Sequence, residues 1–189
     1  CDLELLLPKI VEAFKYAGYN TIVKLIDSSD YGVSQRRERL FIIGIRCDLE
    51  IKLNFFEAMQ VYKECPLPLN ELFSDLPALL PGECKTTYKT KSIRKSLKHY
   101  YRQAGDVLTY HLARPVNRND SRIYRLVAEE KQKGYNLVYT KLPKALRTHS
   151  NENSFIDRCK ALDGCKIAHT IVAHIAKDGH YYIDPDINQ

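Results

Sequence analysis

Three sets of side chains in this sequence have types and spacings that could do chemistry. The first is the run Tyr31-Gly32-Val33-Ser34-Gln35-Arg36-Arg37-Glu38-Arg39, which leads straight into Leu40-Phe41-Ile42-Ile43-Gly44-Ile45-Arg46. Arg37 and Arg39 stand two apart where a strand is expected to begin, so both side chains leave on the same side, where guanidinium forks could hold a carbonyl or a phosphate. An ion-paired rim is the ordinary alternative for such a pair. The second set is Cys159, Cys165, His169 and His174, spaced C-x5-C-x3-H-x4-H. Thiols and imidazoles invite a zinc reading, but the cysteine gap is wider than in ribbons and fingers, and residues 169 and 174 point to opposite faces of one straight strand. No metal site is expected. The third set is the loop Arg114-Pro115-Val116-Asn117-Arg118-Asn119-Asp120. Arginine on guanine and asparagine on adenine are pairings that bidentate base-edge geometry favours, which makes Arg114, Asn117 and Arg118 candidate readers of a nucleic acid. Loops also hold such residues without that role.

No glycine-rich phosphate loop, G-x-S-x-G elbow or H-E-x-x-H helix is present, so these residues do not assemble a complete catalytic apparatus. Charge is more informative. The 189 residues sum to +6, yet residues 85–150 alone hold 16 basic and 4 acidic side chains. An excess of that size is an electrostatic footprint for a polyanion, with a solvated surface as the alternative. Within it Lys85, Lys89, Lys91, Arg94, Lys95, Lys98 and Arg102 run without an acid among them, interleaved with Tyr88, Tyr100 and Tyr101. Aromatics among cations suit a phosphate-contacting surface, although the tyrosines could equally pack beneath a solvated face. The six cysteines form no C-x-x-C pair and are too sparse for a disulfide framework, which fits reduced thiols in a cytoplasm. No apolar run is long enough to cross a bilayer and no secretory signal opens the chain, so a soluble compartment is expected.

The elements that must position these groups can be read from periodicity. Leu6, Ile10, Val11 and Phe14 make one helical stripe over residues 5–17, with Pro8 expected in a first turn and Gly18 as the stop. Residues 21–26 are apolar and β-branched, a polar loop follows, and residues 39–46 read as a buried strand. Prolines 66, 68, 77 and 81 punctuate an acidic stretch that reads as a connection over residues 51–84, around a short helix near residues 70–76. Ile123, Leu126 and Val127 line one side of a helix that ends at Gly134 and begins at a cap expected to be Asn119 or Asp120, with Arg122 on it. Residues 170–176, Asp178-Gly179 and residues 181–183 read as a β-hairpin, with Lys177 and His180 flanking its tip.

The run from Tyr31 to Arg46 resembles motif VIII of the C5-cytosine DNA methyltransferases, Tyr-Gly-[Val/Ile]-Pro-Gln-x-Arg-x-Arg followed by an apolar strand. It matches at Tyr31, Gly32, Gln35, Arg37 and Arg39 and departs at Ser34, where the family usually has a proline that shapes the loop and takes no part in the chemistry. His111-x-Ala113-Arg114 with Asn117 and Asp120, and residues 170–186, look like parts of the target recognition domain in one bacterial subgroup. The resemblance implies an α+β chain: residues 1–50 as the edge of a Rossmann-like α/β methyltransferase sheet, 51–84 as the connection, and 85–189 as a small mixed, β-rich target recognition domain.

It also implies a function. The family flips a cytosine out of the duplex, adds a thiolate at C6 and transfers methyl from S-adenosylmethionine to C5. Arg39 would stabilise the charge that develops at O2, Arg37 would brace the site and Gln35 would help order the loop. Lys85, Lys89, Lys91, Arg94, Lys95, Lys98, Arg114, Asn117, Arg118, Arg122 and Lys177 would grip double-stranded DNA. The family's cofactor loop, Pro-Cys nucleophile loop and Glu-Asn-Val motif have no counterpart here, and the chain opens at Cys1 without an initiator Met. It is therefore expected to be a bacterial, cytoplasmic fragment, inactive alone, that binds no cofactor itself and works with the remainder of the chain or a complementary subunit. The alternative class is a non-enzymatic sequence-specific DNA-binding module or the specificity partner of a split methyltransferase. An RNA-binding domain is a remoter one.

Overall fold

The computed structural model describes residues 3–51, 54–98, 101–148, 150, 159–171, 180 and 182–184. They fall into two compact units, Cys1–Pro66 and Leu67–Gln189.

The first unit opens with helix α1, Leu3–Tyr16. Pro8 lies deeper in this helix than the first turn expected for it, and the bond it cannot donate is the one to residue 4, so a single near-terminal bond is lost. Gly18 ends the helix at φ +84, where its N–H reaches the Lys15 carbonyl. Strands β1, Tyr19–Asp27, and β2, Glu38–Arg46, pair antiparallel from Tyr19↔Arg46 to Asp27↔Glu38. The register puts Thr21, Val23 and Leu25 on one face with Gly44, Ile42 and Leu40, and Ile22, Lys24 and Ile26 on the other with Ile43, Phe41 and Arg39.

Helix α1 lies across the first face at Gly44, where an added Cβ would come within 3.2 Å of the Phe14 ring. Phe14 also meets Tyr19 edge-on at 6.1 Å. On the other face the Lys24 ammonium sits 5.6 Å over the ring of Phe56, a buried residue of helix α2, Phe55–Ala58, which Asn54 caps. The expected fully buried strand is only half-buried: Ile42, Ile43 and Ile45 are partly exposed, and Phe41 and Leu25 are exposed. Two strands with one helix and one short turn on their faces cannot cover an apolar run on both sides, and among the described residues each strand keeps one unpaired edge.

The second unit contains helices α3, Leu69–Leu72, α4, Lys95–Lys98, and α5, Arg118–Gln132, with two 3-10 turns at Tyr139–Lys141 and Lys144–Leu146. Its core forms where Ile123 and Val127 of α5 meet Tyr139, Leu142, Ala161 and Ile183, with Leu126 packed at the margin. Among the described residues this unit holds isolated bridges, Cys84↔Leu112 and Ala161↔Ile183, instead of the expected β-rich ladder. Much of the chain here is polar, basic or broken by proline, without the alternation that a half-buried ladder needs. The expected hairpin over residues 170–183 lies mostly outside the described residues.

The connection expected over 51–84 is divided between the units. The Glu64 N–H donates to the Asp30 carbonyl, while Leu69 and Asn70 donate to Lys166 and Gly164 and the Ala113 N–H to Glu83. These segments are held by backbone bonds that composition does not announce.

Candidate functional site

The loop between β1 and β2 is built around one carboxylate. Asp27 Oδ1 accepts from the N–H groups of Ser29 and Arg37, each at 3.0 Å, and Oδ2 lies 3.3 Å from Arg36 Nε. The Ser29 backbone bond above all, helped by the Arg37 N–H and the Arg36 charge, holds the Asp27 carboxyl below its ordinary value. Ser28 closes the other side: its N–H donates to the Arg37 carbonyl at 3.2 Å and its Oγ to the Gln35 carbonyl at 2.8 Å. Gly32 turns at φ +80 close against the Glu64 side chain, where any Cβ would be strained. Gln35 thus contributes to loop order through its backbone. Ser34, at the position of the family's proline, is buried, and its hydroxyl has no partner among the described residues.

This frame sorts the arginines. Arg36 is taken by Asp27 and by Glu38 at 3.0 Å. Arg39 donates from Nη1 to the neighbouring Glu38 carbonyl at 2.6 Å and meets no carboxylate, and the Arg37 guanidinium has no partner among the described residues. Both are exposed. Arg39 stands opposite Ile26, on the face that carries Phe41 and Ile43. Two exposed guanidiniums without a carboxylate among the described residues can donate to an electron-rich oxygen without first breaking an ion pair.

The basic region of the second unit is also sorted. Lys89, Lys91, Arg94, Lys95 and Lys98 are exposed and unpaired among the described residues. Lys85 is engaged: its ammonium reaches the Ala78 carbonyl at 2.6 Å and Glu83 at 3.3 Å. Arg102 belongs to the interior, with Nη1 2.7 Å from Asp75 Oδ2, Nη2 on the Thr90 carbonyl at 2.6 Å and its plane 3.8 Å from the Tyr88 ring centre. Tyr88 is therefore a packing surface for Arg102.

Asn117, expected to face bases, is the α5 cap in place of Asn119 or Asp120. Its Oδ1 accepts from the Asp120 N–H and its amide donates to Asp120 Oδ2, both at 2.8 Å. Asn119 instead reaches the Leu146 carbonyl at 3.0 Å. Arg114 is exposed, and Lys177 lies outside the described residues. Arg118 and Arg122 are exposed along α5 and line a cleft of about 580 Å³ with Arg125, a residue the sequence reading passed over although it continues their helical spacing.

The cysteine and histidine set does not gather into a site among the described residues. Cys159 packs on the core, Cys165 is exposed, and the His169 ring stacks on Tyr182 at 4.7 Å. Burial first, and the Lys160 charge second, hold His169 below its ordinary pKa. His174 lies outside the described residues. No described helix is long and apolar enough to cross a membrane.

Comparison with known proteins bears on the same residues. The chain is 36% identical over 196 residues to the Type II methyltransferase M.Bpa9945I of Bacillus paralicheniformis, an alignment covering 96% of this chain and 44% of that protein. Shorter matches include the Type II methyltransferase M.FnuDI of Fusobacterium nucleatum, 45% identical over 62 residues, 33% of this chain and 15% of that one. Another is M.HgiCII of Herpetosiphon aurantiacus, 39% identical over 79 residues, 41% of this chain and 17% of that one. The chain thus spans less than half the length of these relatives. The family model for C-5 cytosine-specific DNA methylase matches residues 2–180, a span that holds both the pinned arginine loop and the basic unit, and the chain belongs to that family.

Proposed function

We propose that this chain is the part of a DNA (cytosine-5-)-methyltransferase that supplies the arginines beside a flipped cytosine and the surface that recognises the target DNA. In this reading Cys1–Pro66 carries the last strands of a Rossmann-like catalytic sheet. The second unit, with residues 85–150 as its cationic face, is the target recognition domain. The observation that supports it most is the state of Arg37 and Arg39: exposed, and free of any carboxylate among the described residues, while Arg36 beside them is paired with Asp27 and Glu38. Attack at C6 of cytosine loads negative charge onto the ring, and Arg39 donates to O2 to offset it. Arg37 braces that position. The pinned backbone of residues 27–37 keeps both from reorganising as the charge develops.

S-adenosylmethionine is the methyl donor that the family implies. The described residues of this chain do not fit it. The first unit's glycines stand singly, without a glycine-rich loop, and Asp27, the acid at the end of β1, has its carboxylate engaged by Ser29, Arg36 and Arg37. The chain's own part is confined to the base and the duplex, and the nucleophile and donor pocket come from the remainder of a methyltransferase or from a complementary subunit in a bacterial cytoplasm.

In the full enzyme, Arg39→Ala should lower methyl transfer by about 10² or more with far less loss of DNA affinity, as for any donor aimed at developing charge. Equal losses in both would overturn the assignment. Arg37→Ala, measured alongside, should fall between Arg39→Ala and the parent enzyme.

A further inference from the structure

Helix α5 carries a row of cations that α5 itself does not neutralise. Arg118, Arg122 and Arg125 are exposed and make no ion pair or hydrogen bond among the described residues. At 3.6 residues per turn they fall within about 60° of one another around the axis, and at 1.5 Å per residue they span about 10 Å along it. Beside them Val116, Leu126 and Leu146 give the cleft an apolar floor, and no carboxylate lines it among the described residues. Like charges at i, i+4 disfavour a helix, and an anion from outside relieves such a row. Among the described residues the cleft has no aromatic ring to stack a base and no acid to hold a metal or a ribose hydroxyl, so its chemistry fits a repeating anion with apolar links.

We infer that Arg118, Arg122 and Arg125 form a phosphate rail that holds the sugar–phosphate backbone of one DNA strand, with its deoxyriboses against Val116, Leu126 and Leu146. Three guanidiniums spread over about 10 Å can reach neighbouring phosphates of one strand. The inference rests on the DNA-recognition reading above and deepens it: Arg118 and Arg122 set register and carry no sequence information, and Arg125 joins them.

The test is binding of the full chain to a fluorescent duplex of random sequence over a salt series, with the bound sequences recovered and folding checked by circular dichroism. Arg125→Gln should reduce the slope of log affinity against log salt by about one, and the triple glutamine variant by about three. Arg125→Lys should retain the slope, and the recovered sequences should be unchanged throughout. A folded triple variant with the parent slope overturns the rail while leaving DNA recognition standing. So does an altered set of recovered sequences at constant slope, since that marks base readers. Deoxyadenosine monophosphate raising the melting temperature of the parent but not of the triple variant, with the duplex slope unmoved, would make the cleft a small-nucleotide pocket and overturn it as well. Failure of the parent chain to bind any duplex at low salt would remove both readings together.

Discussion

Arg39 and Arg102 are both arginines that follow a basic, tyrosine-bearing stretch, and the fold uses them in opposite ways. Arg39 lies near the start of a strand, where alternation alone sends it to the Phe41 face, and Asp27 and Glu38 at the strand ends behind it pair with Arg36. Arg102 follows α4 and turns inward, 7% exposed, onto Asp75, Thr90 and Tyr88. In a strand the direction of a side chain is fixed by its neighbours in sequence. In an irregular segment it is fixed by a partner that can be anywhere, here 27 residues earlier. Counting cations therefore measures a field, while only tertiary partners say which of them reach a ligand.

The contrast makes its strongest claim at Arg102. Arg102→Ala leaves a buried, unpaired Asp75 carboxylate and should cost about 3–5 kcal/mol of stability, read as a shift in denaturation midpoint. Replacing both partners together, Arg102→Met with Asp75→Leu, should recover most of it. A small loss from the single change would mean that Arg102 belongs with the exposed cations after all. Next in size is Asn117→Ala, which should cost about 1 kcal/mol through the lost α5 cap, with no change in which DNA sequence is preferred. A change in preference would restore Asn117 as a base reader.

The smallest effect concerns the loop that frees Arg37 and Arg39. The Asp27 carboxyl is held below its ordinary value in the folded chain, so its contribution is complete above the unfolded value and is lost as pH falls through the folded one. Hydrogen exchange at the Ser29 and Arg37 amides should accelerate, relative to the intrinsic rate, below the ordinary aspartate range. Asp27→Asn should abolish that pH dependence, and protection that ignores pH would show that Asp27 does not pin the loop.

Much of the first unit was legible because its pattern is local. The stripe of Leu6, Ile10 and Phe14 and the alternation through β1 and β2 need nothing beyond neighbours in sequence to be read. Helix α5 was legible for the same reason, but its start was misplaced by two or three residues, since Asn117, Asn119 and Asp120 are all good caps and only geometry separates them. The divided connection could not be foreseen, because it follows from backbone bonds between distant segments such as Leu69 with Lys166. At the candidate site, spacing singles out Arg37, Arg39, Arg118 and Arg122. It missed Arg125, although the same i, i+3 arithmetic from Arg122 would have reached it.

Ser34 carries a consequence for how this loop can change over time. Its hydroxyl is buried without a partner, and its N–H makes no hydrogen bond among the described residues, so the fold uses neither of the groups that distinguish serine from proline there. The shape of the loop is written instead by Asp27 and Ser28, upstream of it, and by the turn at Gly32. Position 34 is thus a place where drift between the two residues passes unnoticed by the arginines. A substitution at Asp27 or Ser28, outside the family's signature, would be felt by them directly.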